Sequence, residues 1–425
     1  MKKKTLLLGV LLFSIENFAQ NPISPMGLYT ADPTARVGLD GKMYIYGSND
    51  VSTDFYCSDF YNVLSSSDLQ NWTICPRTFE WEGTLYAPDL IYKDGTYYLY
   101  FDPMQGGEYV AEGKSPTGPF LNTTLIEGPQ QIDPNIFIDD DGQAYYFWGQ
   151  FSGKGAKMNP DMKTLDLSTM VDGLVTEKEH NFHEGSYVIK RGKCYYYTYA
   201  DIGRNGRPTC IGYSMATSPL GPYEYKGVIV DNAGCDPASW NNHGSLVEMN
   251  GKWYVLYHRS THNCVAMRKA CIEPISFNED GTINEVEMTS QGAGKPLCAF
   301  DVMDAARACR MGGNVRITRM PGKMDREILN NIQNGDWAEW KYIDFGEKGA
   351  KSVTLRVQVE HAGKILLYVD DETEPIGTLI LPDNKGWNTF SVKTKKIKGV
   401  HKLRIAVEGD AEKEDLFRLD WLRFF

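Results

Sequence analysis

Carboxylate side chains stand at the start of several short apolar segments of this sequence. Asp32, Asp133 and Glu184 lie in the tripeptides ADP, IDP and HEG, and an apolar segment, a turn and an aromatic segment follow each of them. Two carboxyl groups can hydrolyse a glycosidic bond, because one protonates the leaving oxygen while the other activates water or attacks carbon. A third carboxylate nearby raises the pKa of such an acid by like-charge repulsion. Binding of a divalent cation is the alternative chemistry, and the neighbouring aromatic residues favour a sugar.

The three acids belong to copies of one longer pattern. Each copy has a polar or proline-containing start, a short apolar strand, a turn with glycine and an aromatic strand, and the copies span residues 31–48, 87–101, 133–149, 183–200 and 242–259. The turn glycines, at positions 41, 95, 142, 192 and 251, are separated by 54, 47, 50 and 59 residues. Strand-only repeats of about 50 residues are typical of propeller blades. The sequence therefore predicts an all-β fold that begins with a five-bladed β-propeller.

A propeller brings the starts of its innermost strands to one mouth of the central channel. The five starts supply Asp32, the turn 87–89, Asp133, Glu184 and His243. We expect them to converge, and three acids with a histidine at one point are costly to remove from water unless they serve a function. The acidic run 139–141 differs, because it lies at a hairpin turn and lacks the spacing of a calcium loop. We interpret that run as a solvated turn.

Taken in order, the five copies resemble glycoside hydrolase family 43. The resemblance covers about residues 25–295 and rests on ADPTARVGLDGKMYIYGS, YAPDLIYKDGTYYLY, IDPNIFIDDDGQAYYFWG, HEGSYVIKRGKCYYYTYA and NNHGSLVEMNGKWYVLYHR. It implies a five-bladed propeller, hydrolysis with inversion of anomeric configuration, and α-L-arabinofuranosides or β-D-xylosides as substrates. Carried over residue by residue, the resemblance makes Asp32 the general base, Asp133 the residue that orients and tunes the acid, and Glu184 the general acid.

Three further site positions follow from the same resemblance. His243 matches a histidine on the channel axis near a metal ion or water cluster, and an ordinary core histidine is the alternative. Arg268 matches an arginine that reaches the acids and binds substrate, and a surface charge is the alternative. Tyr86 stands where many members carry tryptophan, so the aromatic surface for the sugar is smaller. The resemblance implies no cofactor for the chemistry and leaves room for a structural Ca²⁺ ion, on the channel axis or in the C-terminal domain.

From about residue 297 the pattern changes to strands at the spacing of a β-sandwich. The segments NNIQNGDWAEWKYIDFG, GWNTF, KGVHKLRIAVEG and LFRLDWLRFF resemble carbohydrate-binding module family 6, which implies a jelly-roll sandwich with a sugar cleft and a structural calcium ion. Arg418 and Leu419 stand where a ligand-binding asparagine is common. We therefore expect residues 297–425 to contribute mainly stability, and we interpret Trp340 and Trp387 as core aromatic residues rather than sugar platforms.

The N-terminus and the composition indicate where the protein works. Three lysines and a short apolar run precede Ala19, so we expect residues 1–19 to be a signal peptide and 20–296 to be the catalytic propeller of a secreted or periplasmic protein. The net charge of −11 argues against nucleic acid as a partner, and no later segment is apolar enough to insert in a membrane. Most of the nine cysteines are expected to be free core residues, with room for one disulfide.

Several functions remain open at this stage. The leading hypothesis is an exo-acting, inverting arabinofuranosidase or xylosidase whose partner is a plant oligo- or polysaccharide. An endo-acting arabinanase or xylanase, a galactoside-cleaving relative and a catalytically silent carbohydrate-binding protein are the alternatives. Two segments outside the repeats, 52–72 and the RNGRP loop at 204–208, are candidates for the rim of the pocket.

Overall fold

The computed structural model describes residues 13–15, 20–104 and 107–425. The described residues are almost entirely strands and turns, with a single helical turn α1 (Glu177–His180) and a 3-10 turn (Ala305–Arg307). Strand β1 (Phe13–Ile15) pairs antiparallel with residues 72–74. The rest of the predicted signal peptide, 1–12 and 16–19, lies outside the described residues.

The five repeats fold as five antiparallel blades of a propeller, in which strands adjacent in sequence are adjacent in each sheet. The first two blades share one long strand, whose first half pairs with the strand before it and whose second half pairs with the strand after it. The strands are, in chain order, β2 (Tyr29–Val37), β3 (Met43–Asp50), β4 (Ser58–Ser66), the shared β5 (Trp72–Lys93), β6 (Thr96–Asp102), β7 (Tyr109–Gly113), β8 (Phe120–Leu125), β9 (Asn135–Ile138), β10 (Ala144–Trp148), β11 (Ser152–Met158), β12 (Leu165–Thr176), β13 (Phe182–Arg191), β14 (Cys194–Asp201), β15 (Cys210–Ala216), β16 (Glu224–Asp231), β17 (Ser245–Met249), β18 (Lys252–Thr261) and β19 (Cys264–Ile275).

The predicted hairpin turns are confirmed. Asp94 and Gly95 connect β5 to β6 with φ angles of 49° and 83°, and Asn250 and Gly251 connect β17 to β18 with φ angles of 54° and 74°. Asparagine, aspartate and glycine tolerate this left-handed conformation, which matches the twist of a two-residue hairpin. The repeat seen in the sequence is therefore the hairpin between the first two strands of each blade.

The segment before β2 closes the propeller against the last blade. That blade has three strands of its own, β17 to β19. The Ile23 N–H donates to the carbonyl oxygen of Ala270 in β19 at 2.9 Å, and the Asn21 side chain accepts from the Ile272 N–H at 2.9 Å. Residues 21–24 therefore line the free edge of the last blade, which joins the start of the propeller to its end.

Polar side chains inside the channel tie neighbouring blades together. Arg36 in β2 forms an ion pair with Asp89 in β5, with Nε to Oδ1 at 3.1 Å. Asp89 also accepts from the Asn135 side chain at 2.8 Å, and Asn135 accepts from the Val188 N–H at 2.9 Å. These contacts fix the innermost strands relative to one another. Asp89, part of the turn 87–89 that we expected near the acids, is thus committed to a structural ion pair with Arg36.

The C-terminal part is a sandwich of two antiparallel sheets, as predicted. One sheet has the order β20-β25-β30-β27-β28 with β22 beside β25, and the other has the order β23-β24-β31-β26-β29 with β21 beside β31. These strands are β20 (Leu297–Cys298), β21 (Met303–Asp304), β22 (Arg310–Gly312), β23 (Arg316–Arg319), β24 (Glu327–Ile332), β25 (Trp337–Asp344), β26 (Ala350–Val359), β27 (Gly363–Val369), β28 (Gly377–Leu381), β29 (Trp387–Ile397), β30 (Val400–Gly409) and β31 (Phe417–Phe424).

The apolar faces of the two sheets pack against each other. Trp340 is fully buried in this core, as expected, whereas Trp387 is half-buried at the surface beneath the Arg356 guanidinium, 4.9 Å from its ring centroid. Trp387 is therefore not the core residue that we expected. Because the apolar strand faces are used inside the sandwich, they are not what holds it to the propeller.

Contacts between the propeller and the sandwich are largely polar. Lys269 in β19 forms a buried ion pair with Glu327 in β24 at 2.5 Å. Backbone hydrogen bonds also cross the junction, including His262 N–H to the Ile317 carbonyl at 2.8 Å. Ion pairs and backbone hydrogen bonds therefore join the propeller to the sandwich.

Two findings bear on the environment of the protein. All nine cysteines lie in the described part of the chain, and all are free. Among the described residues no helix is long and apolar enough to cross a membrane.

Candidate active site

The acids at the channel mouth are placed by irregular backbone at the starts of the inner strands. Asp32 and Asp133, each followed by proline, have φ angles of 49° and 66°. The pairing of β2 with β3 shifts between Ala31 and Thr34, and the pairing of β13 with β14 shifts on both sides of Glu184. Bulges of this kind redirect side chains next to active sites, and left-handed aspartates store strain that the surrounding structure must hold.

Asp32 is a buried carboxylate that is held in the ionised form. Its Oδ2 accepts from the Ser48 hydroxyl at 2.6 Å, and its Oδ1 accepts from Arg268 Nη1 at 2.8 Å. Burial opposes ionisation, yet the charge of Arg268 and the hydrogen bond from Ser48 lower the pKa of Asp32 to about 2. Asp32 is therefore an anion at any pH where the protein works, as a water-activating base must be.

Arg268 is buried beside Asp32 rather than exposed at the surface. Its Nε and Nη2 donate to the two oxygens of Asp50 at 3.0 and 3.1 Å, and its Nη1 donates to Asp32. The ring of Tyr56, from the predicted rim segment, lies 4.9 Å from the guanidinium carbon. The fork geometry of arginine suits such a double contact. Arg268 thus reaches the acids as predicted, and its donors are used to hold Asp32.

Asp133 lies near the other two acids, and burial together with their charges raises its pKa. Its Oδ2 accepts from the Gly185 N–H at 2.8 Å. Burial, together with the carboxylates of Glu184 and Asp32, raises the pKa of Asp133 well above its ordinary value. The two neighbouring carboxylates thus oppose ionisation of Asp133.

Glu184 is half-buried, so its carboxyl group is reached from the channel mouth. Its Oε2 accepts from the Gln150 side chain at 2.9 Å, and its Oε1 accepts from the Asn241 side chain at 3.3 Å. These amides come from the loops after β10 and before β17, on either side of the blade that carries Glu184. Two fixed donors restrict the carboxyl group to one orientation.

Two histidines face the acids from the last blade. His243 Nδ1 lies 3.7 Å from Asp32 Oδ1 and 3.9 Å from Asp133 Oδ1, and Gly185 packs on its ring, where an added Cβ would be 3.1 Å away. His258 Nδ1 accepts from the Asp32 N–H at 3.2 Å. Burial lowers the pKa of His243, and burial with Arg268 lowers the pKa of His258 to about 3. Both imidazoles are therefore neutral, which leaves Arg268 as the cation of the site.

Tyr86 lies at the edge of the same cluster. It is half-buried and pairs in the ladder with Asp102, and its carbonyl accepts from the Tyr61 hydroxyl at 2.5 Å. Burial first, and then the charges of Asp102 and Asp32, raise the pKa of Tyr86. Burial also raises the pKa of Asp102 to about 6. Its role as an aromatic wall for the sugar stays a prediction.

The sequence-based prediction missed the residues that support the acids. Ser48 and Asp50 lie at the end of β3, His258 lies in β18, and Gln150 and Asn241 lie in loops. The signal was in the segments GSND and YHRS, because polar residues at the end of a second strand lie beside the start of the first strand in an antiparallel hairpin. The acidic run 139–141 was interpreted correctly as a turn, where Asp139 and Asp140 hold Lys190 at 2.6 and 2.8 Å.

The described side chains near His243 do not form a complete calcium site. Within the described residues, no group of three or more His, Cys, Asp or Glu side chains is arranged to hold a metal ion. Ca²⁺ takes about six to eight oxygen ligands. Asp32 is occupied by Arg268 and Ser48, so a cation here would take one nitrogen from His243 and most other ligands from water.

Comparison with known proteins decides the family. Residues 19–283 match the family model "Glycosyl hydrolases family 43". The chain belongs to glycosyl hydrolase family 43. It is therefore a glycosidase, and its sandwich is a family 6 module, since residues 304–425 match "Carbohydrate binding module (family 6)".

Relatives of this family 43 glycosidase have closely related names. A xylosidase/arabinosidase from Thermoclostridium stercorarium is 28% identical over 92% of this chain and 96% of that protein. An arabinoxylan arabinofuranohydrolase from Bacillus subtilis (strain 168) is 28% identical over 93% of this chain and 90% of that protein.

Solved structures agree with the fold. The crystal structure of a family 43 arabinoxylan arabinofuranohydrolase from Bacillus subtilis, in complex with cellotetraose, aligns with a TM-score of 0.55 and 25% identity over 96% of this chain and 99% of that chain. A β-xylosidase/α-arabinofuranosidase from a compost metagenome, in complex with xylotriose and in calcium-free form, aligns over 65% of this chain and 99% of that chain with a TM-score of 0.55 and 27% identity.

Proposed function

We propose that this glycosidase is an exported, inverting, exo-acting enzyme that removes α-L-arabinofuranosyl or β-D-xylosyl units from plant polysaccharides. Support for the sugar comes from the relatives, which are described as xylosidases, arabinosidases and arabinoxylan arabinofuranohydrolases. Support for the chemistry comes from the arrangement of Asp32, Asp133 and Glu184. Export rests on the residues before Gln20, where three lysines and an apolar run precede Ala19.

Asp32 acts as the general base in this proposal. Water placed between Asp32 and the anomeric carbon loses a proton to the carboxylate as it attacks. Inverting enzymes leave room for that water, so we expect the carboxyl groups of Asp32 and Glu184 to be roughly 6.5 to 9.5 Å apart. Arg268 and Ser48 fix one oxygen each, which keeps the carboxylate oriented toward the water.

Glu184 acts as the general acid and gives its proton to the leaving oxygen. Asp133 holds the backbone next to Glu184 by accepting a hydrogen bond from the Gly185 N–H. Tyr86 forms a wall of the sugar pocket, and Arg268 acts on the reaction by orienting Asp32 and keeping it ionised. After the reaction Asp32 carries the proton from water, and Glu184 is ionised.

The observation that carries this proposal is the contrast between two carboxyl groups at one channel mouth. Although burial opposes ionisation of Asp32, Arg268 lowers its pKa. Burial and Glu184 instead raise the pKa of Asp133. An ionised base, and a second acidic residue whose ionisation is opposed beside the proposed acid, fit the needs of an inverting glycosidase. Release of 4-nitrophenol from aryl α-L-arabinofuranoside, β-D-xyloside and galactoside tests it. Activity on the pentosides supports the proposal, and activity on none of the three contradicts it.

A Ca²⁺ ion beside His243 stays a prediction for this chain. One relative is described in a calcium-free form. If the ion matters, removal with EDTA should lower the melting temperature and added Ca²⁺ should restore it, and His243→Ala should abolish the response. An unchanged melting temperature in EDTA would contradict a bound structural ion.

A further inference from the structure

A groove of about 480 Å³ lies at the junction of the propeller and the family 6 module. Ligand sites usually have volumes of about 300 to 1,000 Å³, so the groove has the volume of a ligand site. It takes residues from both parts of the chain, among them Arg207, Thr209, Ser239, Met311, Gly312 and Gly313. Arg207 belongs to the RNGRP loop that the sequence marked as a rim candidate.

The groove is connected to the general acid through two adjacent residues. Asn241 donates from its side chain to Glu184 Oε1 at 3.3 Å. Its neighbour Trp240 is 43% exposed, and the Arg207 guanidinium carbon lies 6.0 Å from the Trp240 ring centroid. The Asn242 N–H also donates to the Pro208 carbonyl at 2.6 Å, which fastens the RNGRP loop to this segment. The segment 240–242 therefore runs from the side chain that contacts Glu184 to the edge of the groove at Arg207.

The lining of the groove suits a neutral carbohydrate. Arg207 in the lining offers donors to hydroxyl groups, and Trp240 beside Arg207 offers an exposed aromatic face on which the apolar C–H face of a sugar can stack. Thr209 is 3% exposed, and its hydroxyl has no hydrogen-bond partner within the described part of the chain. A buried hydroxyl without a partner is unusual and costs free energy unless a ligand or water satisfies it.

The module forms the opposite wall with almost no side chains. At Gly312 an added Cβ would lie 2.1 Å from Trp337 Nε1, and at Gly313 it would lie 1.9 Å from Asp336 Oδ1. The Met311 N–H donates to the Gly234 carbonyl at 2.8 Å, which ties the two walls together. The two glycines thus let this backbone pack closely on Trp337 and Asp336 of the module, and the hydrogen bond to Gly234 fixes its position against the propeller.

We propose that this groove binds the main chain of the polysaccharide, the part that remains after the terminal pentose is removed. The inference rests on the proposed function. A general acid contacts the leaving oxygen, so the leaving chain must continue from the side of Glu184, and the groove lies on that side through Asn241 and Trp240. The family 6 module then takes part in substrate binding by forming one wall of a shared groove.

Substitutions in the groove test this inference. Trp240→Ala, Arg207→Ala and Thr209→Val are compared with Tyr92→Ala, a control at an exposed tyrosine in a hairpin of the second blade. The readout is the ratio of kcat/KM on arabinoxylan to kcat/KM on an aryl arabinofuranoside, which is too short to reach the groove. We expect Trp240→Ala to lower this ratio about 10-fold, mainly through KM, and Tyr92→Ala to leave the ratio unchanged.

A binding measurement complements the kinetics. Calorimetric titration with xylotetraose should show binding to the full-length protein that is weakened about 10-fold by Trp240→Ala, with equal melting temperatures for the two proteins. An unchanged ratio and unchanged xylotetraose affinity in all three groove variants would overturn the inference while leaving the proposed function intact. Failure of the unmodified protein to cleave any aryl pentoside would instead overturn the proposed function, and the inference with it.

Discussion

The Asp133 carboxylate accepts a hydrogen bond of 2.8 Å from the backbone N–H of Gly185. Gly185 follows Glu184 directly and has a φ angle of 77°, a conformation that side chains rarely adopt. The inner strand of the third blade thereby holds the strand start of the fourth blade at the residue beside the proposed acid. Asp133 therefore acts on Glu184 in two ways, through its charge and through the backbone, and substitutions can separate them.

Asp133→Asn should separate the charge from the hydrogen bond. The amide oxygen of asparagine can still accept from the Gly185 N–H, whereas Asp133→Ala removes both effects. Since like-charge repulsion is lost in both, we expect the alkaline limb of the pH profile of kcat to move to lower pH in Asp133→Asn, with activity reduced on the order of 10²-fold. Asp133→Ala should lose more. An alkaline limb at its original position in Asp133→Asn would show that Asp133 does not tune the acid.

Glu184→Gln should depend on the leaving group. An amide cannot donate the proton that a poor leaving group needs, so we expect losses on the order of 10² to 10⁴-fold on arabinoxylan or alkyl arabinofuranosides. Aryl arabinofuranosides with acidic phenols need less protonation and should lose less. The measurement is a series of phenols of graded pKa. Equal losses along the series would rule out Glu184 as the acid, and Gln150→Ala is a control that keeps the carboxyl group.

Arg268→Gln should bring the titration of Asp32 into the accessible pH range. With Arg268 present the pKa of Asp32 is lowered to about 2, below the ordinary value of about 3.9, so ionised Asp32 contributes stability that is complete above the ordinary value and lost toward pH 2. Without the cation, burial is unopposed and the pKa rises. We expect the acid limb of the kcat/KM profile to move to higher pH by one unit or more.

Asp50→Asn is the matched control for that experiment. It removes the second partner of Arg268 and leaves the contact between Arg268 and Asp32 in place. Its acid limb should stay near that of the unmodified protein. If both variants shift the acid limb equally, the effect comes from loss of local structure rather than from the charge beside Asp32.

The ion pair between Lys269 and Glu327 should account for part of the stability that the module gives the propeller. Removing one partner of a buried pair leaves an uncompensated charge, so Glu327→Ala should lower the free energy of unfolding by about 3 to 5 kcal/mol. Although burial opposes ionisation, Lys269 lowers the pKa of Glu327, so this stabilisation should disappear as the pH falls through that pKa. Urea unfolding measures the change. The double variant Lys269→Met, Glu327→Leu should recover most of the loss, and equal stability of Glu327→Ala and the unmodified protein would contradict this role.

The repeat pattern made the propeller and the positions of Asp32, Asp133 and Glu184 predictable from sequence, whereas Arg268 was predicted from the family resemblance. Each turn glycine marks a hairpin, and a closed ring of hairpins leaves only one place where the strand starts can meet. The supporting residues were harder to predict, because Ser48 contacts Asp32 through an irregular part of the β2–β3 pairing and Asp50 contacts Arg268 from a different blade. The sequence separations of these contacting pairs do not recur at a fixed period.

The junction with the module could not be predicted for a similar reason. Alternating apolar residues in β26 indicate one buried face, and the sequence does not tell whether that face meets another sheet or the propeller. In the structure Val353 and Val357 face the sandwich core. Contact with the propeller depends instead on single polar residues such as Lys269 and Glu327, which no periodic pattern marks.

The stereochemistry of hydrolysis tests the central claim most directly. Asp32 as a base and Glu184 as an acid produce a single displacement by water, which inverts the anomeric centre. Proton NMR of the first turnovers on 4-nitrophenyl α-L-arabinofuranoside, recorded before mutarotation, shows which anomer forms first. We predict that β-L-arabinofuranose appears first and the α-anomer grows in later. Initial formation of the α-anomer would mean retention through a glycosyl-enzyme and would contradict the roles assigned to Asp32 and Glu184.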